Sequence, residues 1–180
     1  NALIFNLITI IMRSRIKFAL FALLISSISF AQGDDYFQQI VDYEIKLSLD
    51  DQLHLLTGDW AMMYHNQSPD TLEIIYIHLW PNAYSDPKTA LAKQMMKQGD
   101  LSLFNAKPEE QGFIDQLSFS SPTNTIFFQR DSINPDIGIL RLAKALAPGD
   151  SLKIESPFRV KIPNNFSRLG HVDQSYQITQ

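Results

Sequence analysis

Ile40-Val41-Asp42-Tyr43-Glu44-Ile45-Lys46-Leu47-Ser48-Leu49-Asp50 alternates without interruption: Val41, Tyr43, Ile45, Leu47 and Leu49 share one parity, and Asp42, Glu44, Lys46 and Ser48 the other. That period of two is the signature of a half-buried β-strand. Asp50-Asp51 makes a tight connection to a second run, where Leu53, Leu55, Thr57 and Asp59 interleave with His54, Leu56, Gly58, Trp60, Met62 and Tyr64. The apolar parity shifts near Gly58, so a hairpin with a β-bulge at that glycine is expected. Asn66-Gln67-Ser68-Pro69-Asp70 is a turn by composition, and Leu72, Ile74, Ile75, Tyr76, Ile77 and Leu79 follow as a third strand, apolar on both faces and therefore expected at the centre of a sheet.

Further along, Pro81 ends that strand, and Ser85-Asp86-Pro87 predicts the start of a short helix that runs through Ala90, Leu91, Ala92, Met95 and Met96 and stops at Gly99. Phe113 to Phe119, Thr125 to Arg130, Gly138 to Leu142, Ser151 to Glu155 and Val160 to Ile162 read as strands, with Leu146-Ala147-Pro148-Gly149-Asp150 as a turn. Short strands at regular spacing predict an all-β, mostly antiparallel fold: a β-sandwich or a saddle-like pair of sheets with one short helix. His171 to Gln180 still reads as a strand, with Val172, Tyr176 and Ile178 apolar, so the chain is expected to continue in a longer protein.

Hydrophobic residues make up 45% and charged residues 19% of the 180, enough apolar content for a packed core. With twelve Phe and six Tyr, the composition favours sheet over helix. A net charge of -4 argues against nucleic acid, which is bound through clustered Lys and Arg. No cysteine is present, which excludes disulfides, thiolate metal ligands and thiol nucleophiles.

Near the amino terminus, Met12-Arg13-Ser14-Arg15-Ile16-Lys17 is basic, Phe18–Ile28 is apolar, and Ser29-Phe30-Ala31 places small residues where a signal peptidase reads them. Residues 12–31 are therefore expected to be a signal peptide cleaved before Gln32, and residues 1–11 a segment upstream of the native start. Residues 32–180 then form one exported β-domain, periplasmic or extracellular. A membrane anchor is disfavoured, because Phe18–Phe30 falls short of the approximately 20 residues that cross a bilayer as a helix. No membrane span is expected in the mature chain.

Chemistry is sparse. His54, His65, His78 and His171 stand in no close ligand spacing, so each reads as a structural histidine. Asp34-Asp35, Asp50-Asp51 and Glu109-Glu110 fall in turns or polar loops, and no G-x-S-x-G elbow or phosphate-cradling glycine loop occurs. Asn165-Phe166-Ser167 fits a glycosylation sequon at chance level. Trp80 and Tyr84 read as core packing before they read as a sugar-stacking platform, and the Arg159 and Lys161 that alternate through Phe158–Pro163 read as the wet face of a strand.

Several strings carry a resemblance: His78-Leu79-Trp80-Pro81-Asn82-Ala83-Tyr84, Thr89-Ala90-Leu91-Ala92-Lys93-Gln94, Ser156-Pro157-Phe158-Arg159-Val160-Lys161-Ile162-Pro163, Phe166-Ser167-Arg168-Leu169-Gly170-His171 and Ser175-Tyr176-Gln177-Ile178-Thr179-Gln180. In this order they resemble the amino-terminal domain of secreted bacterial members of the aminopeptidase N family of zinc metallopeptidases, over Tyr36 to Gln180. The resemblance implies a saddle-like β-domain preceding a thermolysin-like catalytic domain, which would be this chain's partner and would carry the zinc through H-E-x-x-H and a downstream Glu. In such enzymes the metal polarises the scissile carbonyl and acidifies its water. Neither that motif nor the G-x-M-E-N-type loop that holds the substrate's amine is in this sequence, so the chain itself is expected to hold no zinc and to be inactive alone. The resemblance assigns one site residue: Gln180, after Thr179, occupies the place of the Gln that accepts from the α-amino group of a peptide substrate. A neutral amide does this without burying a second charge. Some surface is then expected to be too apolar for a free domain. The alternative is a stand-alone secreted β-sandwich that binds protein or glycan.

Overall fold

The computed structural model describes residues 37–179. The expected signal peptide (12–31), the upstream segment (1–11) and Gln180 lie outside the described residues. Among the described residues the strands are β1 (Ile40–Asp50), β2 (Leu55–His65), β3 (Leu72–His78), β4 (Phe113–Asp115), β5 (Ile126–Arg130), β6 (Ile137–Leu146), β7 (Ser151–Lys161), β8 (Leu169–Val172) and β9 (Ser175–Ile178). A 3-10 helix (Trp80–Tyr84) and α1 (Ala90–Lys97) lie between β3 and β4. They form a four-stranded sheet in the order β1-β2-β7-β4, a three-stranded sheet β3-β6-β5 and the hairpin β8-β9, all with antiparallel strand pairing. The fold is all-β with one short α-helix, in open sheets, as the alternation predicts. No helix among the described residues is long and apolar enough to cross a membrane.

The two larger sheets face each other. Met62, Leu152 and Ile154 of one pack with Ile75, Leu140, Leu142 and Leu146 of the other, all buried. Each such aliphatic side chain contributes roughly 1.5–3 kcal/mol on full burial. A second cluster joins Ala83 and Tyr84 of the 3-10 helix to Ala92 and Met95 of α1, Leu103 and Leu169. The third, Leu56, Phe158, Val160 and Ile162, occupies the far end of β2 and β7.

Several expectations need correction. The register of β1 on β2 and of β2 on β7 is continuous through Gly58, so there is no bulge. Leu56, Trp60, Met62 and Tyr64 keep one face throughout, and Gly58 instead permits close approach: a Cβ there would collide with the Lys46 carbonyl oxygen and sit 2.9 Å from Leu47 Cα. The irregularity falls in β3, between Leu72 and Ile74. Among the described residues β3 is an edge strand, not a central one, because only β6 pairs with it. Its continuous apolar run comes from burying Ile75 inward while Tyr76 stays exposed.

The helix begins later than the Ser85-Asp86-Pro87 signal. Asp86 organises a preceding turn, accepting from Lys88 N at 2.6 Å, and Thr89 is the cap, its hydroxyl oxygen accepting from Ala92 N at 3.2 Å. Gly99, with φ +87°, ends it as expected: Gly99 N donates to Met96 O and Asp100 N to Met95 O, which satisfies two of the last carbonyls.

β7 runs unbroken through Pro157. Glu155 exchanges both backbone hydrogen bonds with Ser120, so two residues on, Pro157 turns its nitrogen to the gap between Ser120 and β4, where no N–H is required. The final stretch is not one strand leading outward but the hairpin β8–β9, turned at Asp173 with φ 50°.

Candidate functional site

β1 displays the most unusual surface. Its register sets Tyr43 opposite Met62, Ile45 opposite Trp60, Leu47 opposite Gly58 and Leu49 opposite Leu56, so its apolar side chains share the core face of the sheet. They are nevertheless open to solvent: Tyr43 is 63% exposed, Ile45 55%, Leu47 57% and Leu49 42%. Only Val41, at the start of the strand, packs against the core. The half-buried strand expected from the alternation therefore has the right face, and among the described residues nothing covers it.

The cause is geometric. The three-stranded sheet lies over Met62 and Ile154 but does not extend over β1, and the sheets part between their edge strands β1 and β3. This leaves an apolar cleft of about 400 Å³ with Tyr43, Ile45, Trp60, Tyr76, Ile77 and Phe158 in its walls. Inside it Tyr43 meets Trp60 with ring centroids 6.3 Å apart, and Trp60 is held in turn by edge-on packing at 5.8 Å against Phe119 of the neighbouring core. Such walls suit an apolar partner.

The opposite face of the same sheet is polar. Lys46 pairs with Glu44 at 3.0 Å and Lys153 with Glu155 at 2.6 Å, around a shallow hollow that Asp59 also lines. The hydrogen bond from Lys46, and then its charge, hold the Glu44 carboxyl below the usual carboxylate range.

The histidines do not converge on a metal. His54, held at φ 53°, stacks on His171 with centroids 3.5 Å apart and planes 16° from parallel. The Tyr176 hydroxyl bridges the two elements, lying 3.3 Å from Asp51 O and 2.9 Å from His54 Nδ1. Burial, and then the neighbouring His54, push His171 below its ordinary value of 6.5, so it is neutral at pH 7. The group ties the β1–β2 connection to the terminal hairpin. No spacing rule could have paired residues 54 and 171, because the contact is made by the fold.

His65 links Ser151 Oγ, 2.7 Å from Nδ1, to Asp42 Oδ2, 3.3 Å from Nε2. This Ser, His and Asp chain lies on exposed cross-strand positions, and neither Ser151 nor His65 lines the apolar cleft or the polar hollow. It fastens the start of β1, the end of β2 and the start of β7 side by side. His78 stacks on Trp80 at 5.4 Å.

The run from His78 to Tyr84 is structural. Tyr84 is fully buried, with its hydroxyl accepting from Leu169 N at 3.3 Å, and Trp80 packs against the helix cluster. Buried Asn82 donates to Pro135 O at 2.9 Å and accepts from Ile114 N at 2.9 Å, so the segment pins the β5–β6 loop to strand β4 instead of forming a sugar platform.

Gln180 lies outside the described residues. Thr179 before it donates through both its backbone N (2.9 Å) and its hydroxyl (3.0 Å) to Arg168 O, which fixes where β9 ends. Among the described residues no three His, Asp or Glu side chains gather to hold a metal ion, so they do not fit a zinc site. No protein-family model matches this chain, and no curated protein matches it.

Proposed function

We propose that the chain is the non-catalytic amino-terminal β-domain of an exported, zinc-dependent metallopeptidase of the aminopeptidase type. The uncovered apolar face of β1, with the cleft beside it, is the observation that carries this reading. A domain that lives alone rarely leaves four large apolar side chains in one row on the open part of its core face, whereas a domain that docks on another needs such a row. The family resemblance supplies the identity of that other body, a catalytic domain bearing the zinc. In this reading the domain closes one side of the peptide cleft, and Gln180 accepts from the substrate's α-ammonium group.

The test is to express the complete reading frame and measure bound zinc together with hydrolysis of aminoacyl anilides. One zinc per chain, activity, and an H-E-x-x-H motif beyond this domain are expected. A purified product with neither the motif nor zinc overturns the reading. In the active enzyme, Gln180→Ala is expected to lower kcat/KM by about tenfold to a hundredfold through loss of a hydrogen bond to a charged group.

The aromatic walls of the cleft, Tyr43, Trp60 and Tyr76, support a second reading, a secreted β-sandwich that binds protein or glycan directly. Saturation-transfer NMR of the chain with a panel of oligosaccharides separates the two. Transfer to sugar protons from these rings favours the second.

A further inference from the structure

The edge of β1 is distinct from its face, and among the described residues that edge has no partner. The other sheet edges are guarded or short: β3 carries an irregularity, β4 has three residues and β5 has five. β1 has eleven residues in unbroken register with β2, no proline, and one lysine whose charge is neutralised by Glu44 on the same face. Those are the properties of a strand left able to accept another.

Its sequence selects the partner. In an antiparallel pair of two β1 strands, directly opposed residues share a face, so any register that opposes odd and even positions puts apolar side chains of one copy among the charges of the other. Of the remaining registers, the one centred on Ile45 sets Glu44 opposite Lys46 of the second copy, and Lys46 opposite its Glu44, while Tyr43 meets Leu47 and Ile45 meets Ile45. Centring one residue pair earlier opposes Glu44 to Glu44, and one later opposes Lys46 to Lys46. Among the registers that pair at least seven residues of β1, the Ile45-centred one alone places opposite charges together twice and like charges nowhere; a Ser48-centred register also opposes Lys46 to Asp50, but it pairs only Lys46 to Asp50 and leaves most of the edge bare.

We infer that two copies of this chain associate edge to edge through β1, antiparallel and centred on Ile45, joining their four-stranded sheets into one. The association uses the strand's backbone edge and leaves its apolar face open, so it does not rest on the function proposed above. The two copies' rows of Tyr43, Ile45, Leu47 and Leu49 then form one continuous apolar surface.

Sedimentation velocity on the full chain across a wide concentration range tests this, with circular dichroism checking that each variant is folded. A reversible monomer–dimer equilibrium is expected. Lys46→Glu and Glu44→Lys, each of which opposes like charges twice, should weaken it by at least about tenfold. An equimolar mixture of these two variants should associate as well as the parent, as should the double exchange E44K/K46E, a rescue that general damage to β1 would not produce. Because the chain has no cysteine, Ile45→Cys adds an independent readout. At the centre of the pair the two Cα atoms lie about 4.5–5.5 Å apart, within disulfide reach, so mild oxidation should link two copies. A chain that stays monomeric throughout, a dimer indifferent to both single charge reversals, or a mixture that fails to recover overturns the inference.

Discussion

β1 and β7 have nearly the same pattern and opposite fates. Leu152, Ile154, Phe158 and Val160 of β7 alternate with polar residues as Tyr43, Ile45, Leu47 and Leu49 of β1 do, and both rows point to the same side of one sheet. The β7 row is buried, whereas the β1 row is open. β7 has neighbours on both sides and a second sheet above it, while β1 stands at the margin beyond the reach of that sheet. A period of two therefore assigns a side chain to a face. It does not say whether anything lies on that face.

Truncating matched positions should expose this difference most strongly. Ile154→Ala removes a fully buried side chain from the centre of the core and is expected to lower unfolding free energy by about 3–4 kcal/mol in urea denaturation. Ile45→Ala, on the open row, should cost less than about 1 kcal/mol. Equal losses at the two sites would mean that β1 is covered within the chain itself.

The closed end of the sandwich explains why Val41 alone of the β1 row is packed. Fully buried Asn66 donates to Asp70 O at 2.8 Å and Leu146 O at 3.1 Å, and its side-chain oxygen accepts from Ser68 Oγ at 2.6 Å and Gln39 Nε2 at 3.4 Å. It thereby clasps the turn after β2, the end of β6 and the entry to β1. Asn66→Ala leaves those buried groups unpaired and should cost about 2–3 kcal/mol, with faster amide exchange at the start of β1. If exchange rises equally along all of β1, the clasp is not what holds Val41 down.

Gly58→Ala probes the other restraint on β1, its backbone contact with β2. The added methyl collides with the Lys46 carbonyl, and a loss of about 2 kcal/mol is expected in the same denaturation assay. A bulge at Gly58 would have accommodated the methyl group, so a neutral result would favour the bulge over the continuous register.

The smallest effect concerns the His54–His171 stack. His171 has a folded-state affinity for protons below its unfolded one, so the unfolded chain binds more protons between the lowered value and 6.5. Stability contributed by the neutral ring is fully present above about pH 6.5 and is lost as pH falls through that window. Thermal unfolding across this range should show the decline in the parent chain and less of it in His171→Gln. An unchanged slope would remove His171 as its source.

Much of the fold was legible because strands and turns announce themselves locally. The alternation at Ile40–Asp50, the turn at Asn66–Asp70, and Gly99 and Gly149 with positive φ are short-range signals, and each element formed where they stood. What was not legible depended on neighbours in space. The apolar run of β3 fits a central strand and an edge strand equally well until its single partner is known. Gly58 signals either a bulge or a close approach, and the opposing Lys46 carbonyl decides between them. Of the candidate site, the apolar residues of β1 could be named from sequence but their exposure could not, and the stacking of His54 on His171 follows only from the terminal hairpin folding back.

The central claim, that the face of β1 is a surface for another body and not part of this domain's own core, is tested most directly by replacing its exposed row. The triple variant Ile45→Thr, Leu47→Thr, Leu49→Thr keeps strand propensity while removing apolar surface. In urea unfolding followed with an apolar fluorescent dye, it should unfold as cooperatively as the parent, with a stability change no larger than about 1–2 kcal/mol, and should bind less dye. A loss of stability as large as that of Ile154→Ala, or dye binding that rises, would contradict the claim.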